Sequence, residues 1–106
     1  MTRDEILAKW ESMTPRERDE WVDNVIMNRY EATWEHGSWV YPAPRTRNIV
    51  AAWEVEEKIY RMDKVGLVGR YMMELLLIVG NNGFKVVHAT PEQRCKAALL
   101  AVMDIE

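Results

Sequence analysis

Apolar residues recur along this chain mostly at helical spacing, and several of the runs open on a recognisable start signal. Thr2-Arg3-Asp4-Glu5 has the form of a capping box, in which a hydroxyl and a carboxylate three residues apart satisfy exposed helix N–H groups reciprocally. It predicts a helix over about residues 3–12, with Ile6, Leu7 and Trp10 on one face. Thr14-Pro15-Arg16-Glu17 repeats the signal with proline at the first helical position, where its missing N–H costs nothing. The second helix then runs to about Asn28, with Trp21, Val22, Val25 and Ile26 as its apolar stripe. Arg16, Arg18, Asp19, Glu20 and Asp23 read as its solvated side. Asn48 or Thr46 caps a third helix over about residues 49–62, on which Ile49, Ala52, Trp53, Val55, Ile59 and Tyr60 share a face. Glu56 falls inside that face, whereas Glu54, Glu57, Lys58 and Arg61 lie outside it.

The C-terminal pattern predicts a short strand, Phe84 to His88, then a helix start at Thr90-Pro91-Glu92-Gln93 and a small-residue helix, Arg94 to Val102. Residues 65–79 fit two readings. Leu67, Val68, Tyr71, Met72, Leu75, Leu76 and Val79 recur at helical spacing, and the length favours a helix. The same stretch also suits a strand paired with Phe84–His88 through Gly80-Asn81-Asn82-Gly83. Residues 29–47 are irregular: Pro42 and Pro44 exclude a helix or central strand there, and Ser38–Tyr41 suits a short edge strand. These elements together predict an α+β domain, helix-rich, with a small antiparallel sheet covered by helices in an α-β-α sandwich-like arrangement. Its 106 residues form one domain.

Composition narrows the function classes. The net charge of −3 argues against a DNA or RNA coat protein, which would be basic. One cysteine, Cys95, excludes an internal disulfide and argues against a thiolate metal site; among Ala and Leu it reads as a small buried hydrophobe. The N-terminus lacks a signal-peptide pattern and no apolar run is long enough to span a bilayer, so a soluble cytoplasmic protein without membrane attachment is expected. Five tryptophans and four tyrosines against one phenylalanine, with seven methionines, favour a surface that meets a partner, and a small core makes a homo-oligomer an expected state.

Two segments resemble a family of small phage and prophage proteins, the phage α-β-α sandwich domain. Asn48 to Ile59, with Ala51-Ala52-Trp53-Glu54-Val55 at its centre, is similar to a helix of that family, and His88 to Val102 is similar to its C-terminal strand and helix. Met1 to Leu7 is also similar to the way its members begin. The resemblance implies a helix-covered sheet in a phage-encoded protein acting in the infected bacterial cell, and it implies no activity. The chain departs from the pattern at Glu56, where an apolar residue is expected, and over residues 65–79, which lack a clear strand.

No catalytic constellation stands out. Cys95, His88 and Glu92 fall near one another in sequence, but Cys95 should face the core and nothing supplies an oxyanion hole. Two isolated histidines do not make a metal site, and neither a P-loop nor a dinucleotide glycine pattern is present, so no cofactor is expected. The richest chemistry lies in the irregular segment. Trp34, His36, Trp39 and Tyr41 offer faces for stacking, and Arg45 and Arg47 offer planar forks for phosphate. Arg70 and His88 are further contacts, and Glu56 is an acceptor for a base or a ribose hydroxyl. The plainer alternative is that Trp34 and Trp39 pin the loop to the core and the arginines pair with surface acids. The reading is therefore of a non-enzymatic binding protein that sequesters a nucleotide-like signal of host antiphage defence. The alternative is a protein–protein module, homo-oligomeric or host-binding, with no small-molecule ligand.

Overall fold

The computed structural model describes residues 1–27, 33–35, 38–40, 43–62, 64–80 and 82–103, with backbone alone for the two stretches between 33 and 40. Helix α1 spans Arg3–Ser12 and α2 spans Pro15–Val22, continued by a π-helical turn over Asp23–Met27. Two three-residue strands, β1 (Thr33–Glu35) and β2 (Ser38–Val40), pair antiparallel with Trp34 opposite Trp39. Helices α3 (Ile49–Arg61), α4 (Leu67–Val79), α5 (Gly83–Val87) and α6 (Pro91–Met103) follow.

Local chemistry explains the helix starts. The Thr2 and Thr14 hydroxyls accept from the N–H groups of Glu5 and Glu17, and each glutamate accepts in return from its threonine's N–H. These backbone bonds hold the Glu5 and Glu17 carboxyls below their ordinary pKa. Thr90 and Gln93 repeat the exchange at α6. The Asn48 side chain caps α3 by accepting from Val50 and Ala51. Gly66 and Gly80, both at positive φ, turn the chain into and out of α4.

Helix α6 is the centre. Cys95 and every residue from Ala97 to Ala101 are buried on it, and it packs mainly against α4 and α3, with α1 and the π turn also against it. Its alanines let neighbouring helices approach from several sides. Ile6 and Trp10 of α1, Val22 and Ile26, Val55 and Ile59 of α3, and Leu67 and Leu75 of α4 complete the core.

The expected α-β-α sandwich is not formed. Among the described residues the architecture is a helical bundle, and the β1–β2 hairpin is too small to be a layer that helices cover. Residues 67–79 are helical, so Phe84–His88 has no strand to pair with. That segment is instead helix α5, because the Asn82 side chain caps it by accepting from Phe84 and Lys85. A second correction concerns α2 and the turn after it: Asp19 and Asp23, read as solvated, are wholly buried.

The Asp23–Arg45 pair, at 2.8 Å, is buried on both sides. Asp23→Ala should therefore destabilise the protein by about 3–5 kcal/mol, because the guanidinium loses a fully buried carboxylate and Glu54, half-exposed, does not replace it. Removing the exposed Arg61–Glu57 pair by Arg61→Ala should cost less than about 1 kcal/mol. Thermal unfolding followed by circular dichroism compares the two; equal, small shifts would show that the buried pair is dispensable.

Candidate functional site

The nine candidate ligand residues do not converge within the described part of the molecule. His36 and Tyr41 lie outside the described residues, as do the side chains of Trp34 and Trp39. Arg45 is 1% exposed. Its guanidinium donates to Asp23, to the carbonyl of Ala51 at 3.2 Å, and pairs with Glu54 at 3.2 Å. Burial opposes its charge, but the two carboxylates outweigh this and raise its pKa. Arg47 donates to Asp19 at 2.8 Å, and Asp19 also accepts from the N–H and hydroxyl of Thr46. These two arginines thus fasten the segment before α3 onto the helix containing Asp19 and Asp23.

Glu56 is half-buried and pairs with Arg94 of α6. Arg94 also donates to the carbonyls of Val87 and Ala89, so it clamps the C-terminal end of α5, where the helix dipole favours a cation. Burial first, and then the Glu56 charge, push the Tyr71 phenol up. Arg70 donates to the carbonyl of Ala101 at 3.3 Å. His88 is exposed and lies against Phe84, ring centres 4.3 Å apart and the planes tilted by 39°. Arg45, Arg47, Glu56 and Arg70 are all engaged within the chain, the first two in one cluster with Asp19 and Asp23 and the others elsewhere.

Cys95, His88 and Glu92 are also apart in role. Cys95 is fully buried and its thiol donates to the Arg45 carbonyl at 3.1 Å. Burial raises its pKa far above the ordinary thiol range. Glu92 accepts from Trp10 Nε1 and from Arg18. Among the described residues no group of three or more His, Cys, Asp or Glu is placed to hold a metal ion.

Two surface features stand apart from these networks. The first is the outer face of α4. Leu67, Tyr71 and Leu75 point inward, but Val68, Met72, Met73 and Leu77 are exposed, Met73 and Leu77 by more than 60%. Gly69, Met73 and Leu77 form one row at spacing four; Val68, Met72 and Leu76 form the adjacent row. The helix's two charged residues are turned off this face. Glu74 is buried against Arg3 of α1 in a two-pronged ion pair, and Arg70 reaches Ala101. The signal was present in sequence: apolar residues occupy nearly the whole circumference of α4, which a helix with one buried side does not require.

The second feature is a groove of about 650 Å³ between Met27 and the outer side of α3, lined by Val50, Trp53, Glu54, Glu57, Lys58 and Arg61. Trp53, expected on the buried face, is 53% exposed here, and Tyr60 is exposed as well. The buried stripe of α3 is Ala51, Ala52, Val55 and Ile59, which is displaced from the larger side chains.

A family model described as the phage ABA sandwich domain matches residues 5–99. The chain belongs to this phage family. In this member the described architecture is helical, despite the sandwich of the family's name. Neither the curated proteins nor the solved structures contain a match to the chain. Among the described residues no helix is long and apolar enough to cross a membrane.

The placement of Cys95 has a direct chemical consequence. The folded protein should resist a thiol reagent at mildly alkaline pH and should react fully once denatured. Rapid labelling of the native protein would contradict the burial of Cys95.

Proposed function

We propose that this phage protein is a non-enzymatic binding protein that acts in the cytoplasm of the infected cell, and that it recognises a protein through the outer face of α4. The observation that carries this reading is the composition of that face: over the length of the helix its exposed side chains are apolar, and both charges of α4 are engaged elsewhere. Contiguous exposed apolar surface of this kind marks interaction sites, and methionines suit an adaptable contact. A 13-residue helix is too short to cross a bilayer.

The test is a photo-crosslinking residue at position 73, compared with one at the exposed Asn24, which lies beside Glu17 and Glu20 of α2. In infected cells position 73 should give a discrete adduct and position 24 should not. No adduct at 73, or the same adducts from both positions, would remove this face from consideration.

A second reading, sequestration of a nucleotide-derived signal of host defence, is favoured by the groove at Trp53. An exposed indole beside Lys58 and Arg61 offers a stacking face and cations near it, although Glu54 and Glu57 make the lining charge-balanced. A nucleotide at about 100 times its dissociation constant would stabilise the fold by about 2.7 kcal/mol, a shift of several degrees that Trp53→Ala should abolish. A panel of nucleotides, cyclic dinucleotides and ADP-ribose derivatives that leaves the melting temperature unmoved would sink this second reading.

A further inference from the structure

We propose that the groove along α3 binds a flat aromatic molecule that carries a single anionic group, its ring against Trp53 and its charge on Lys58. The inference rests on the groove of the second reading above and narrows the ligand by charge.

Lys58 carries the argument. Glu54 lies one turn before it on α3, the spacing and order at which a glutamate and a lysine pair best. That pair is not made. Glu54 meets instead the buried guanidinium of Arg45, 3.2 Å away. The other carboxylate of the groove, Glu57, accepts from Arg61 at 2.9 Å. Each acid in the lining thus already meets a guanidinium. The half-buried Lys58 makes no hydrogen bond or ion pair among the described residues. Its ammonium has three donors, and in a groove they suit an anionic oxygen.

The ring site is Trp53. It is half-exposed in the groove, and Val50 and Met27 add apolar lining. An indole face is a platform on which any flat ring can stack. The volume of about 650 Å³ is that of a small-molecule site. Trp53 and Lys58 are five residues apart, about 7.5 Å along the helix axis, so the ring and the charge belong to different parts of the ligand. The acids limit the number of charges. Glu54 and Glu57 line the same groove, and a second negative group on the ligand would face one of them. Polyphosphates are therefore disfavoured, and one carboxylate or one phosphodiester is what this lining accommodates.

The experiment is a titration of the isotope-labelled full chain followed through its backbone amide resonances. Indolepropionate and its uncharged amide are the first pair of probes. Cyclic AMP, with one negative charge, and AMP, with two, are the second. The singly charged member should bind about tenfold more tightly than its counterpart. Binding by the first pair alone assigns a carboxylate, and by the second alone a phosphodiester. Lys58→Met should erase the preference for the acid over the amide. Lys64→Met, which removes the same charge outside the groove, should keep it. Trp53→Ala, on an exposed position, should weaken every probe while leaving helical circular dichroism unchanged. An amide that binds as tightly as its acid, a preference that survives in folded Lys58→Met, or resonances unmoved by all four probes would overturn the inference. AMP bound more tightly than cyclic AMP, and lost in Trp53→Ala, would overturn the single charge and leave the nucleotide reading standing. If the four probes and the wider nucleotide panel are all without effect, both fall.

Discussion

The structure hangs on two aspartates one helical turn apart. Asp19 and Asp23 are wholly buried, and between them they hold three consecutive residues of a segment that has no regular structure of its own. Asp19 takes the N–H and hydroxyl of Thr46 and the guanidinium of Arg47; Asp23 takes Arg45. Arg45 then reaches forward to Ala51 and Glu54 of α3, and its carbonyl receives the Cys95 thiol of α6. Through one short segment the helix of Asp19 and Asp23 is tied to α3 and to the central helix. Burying so many charges costs several kcal/mol per ion before pairing, so the cluster is not a simple source of stability. Its effect is positional: a shift of residues 45–47 along the helix would separate these paired groups.

That clamp changes what the arginines mean. As a string of letters, Arg45 and Arg47 beside tryptophans and a tyrosine have the composition of an anion pocket. In the fold both guanidiniums meet carboxylates of the same chain. The same holds elsewhere: Arg94 meets Glu56, Arg3 meets Glu74, and Arg18 meets Glu92. Arginine is suited to such work because its planar fork holds two or more acceptors at once and stays charged when buried. A protein of this size that uses its arginines to pin helices together has fewer of them to offer to a phosphate.

How much could be read from sequence divides along the range of the interactions. The capping exchanges at Thr2, Thr14 and Thr90, and the cap at Asn48, are local, and the four helices they begin were legible to within a residue or two. Asp19 and Asp23 were misread because their partners lie more than twenty residues away and no local pattern announces them. The strand expected at Phe84–His88 depended on a pairing partner, and once residues 67–79 are helical the cap at Asn82 decides for a helix. In α3 the large side chains Trp53 and Tyr60 pulled the expected buried face towards themselves. The face that packs carries the small residues Ala51 and Ala52 instead, because closeness to α6 needs small side chains more than large ones.

Helix α4 inverts the usual division of labour, and the inversion links the fold to recognition. Its carboxylate and its guanidinium face protein: Glu74 fixes α1 through Arg3, and Arg70 takes the Ala101 carbonyl near the end of α6. With the polar groups used internally, solvent is left to meet valine, methionine, leucine and a glycine that no internal contact requires. A water-facing helix surface without a charge is poorly suited to remaining bare, and well suited to being covered. Internal pairing thus acts in two separate places: at Arg45 and Arg47 it withdraws charge from a nucleotide pocket, and at Glu74 and Arg70 it leaves an apolar face on α4. The economy of polar groups, more than any single motif, is what favours a protein partner over a phosphate.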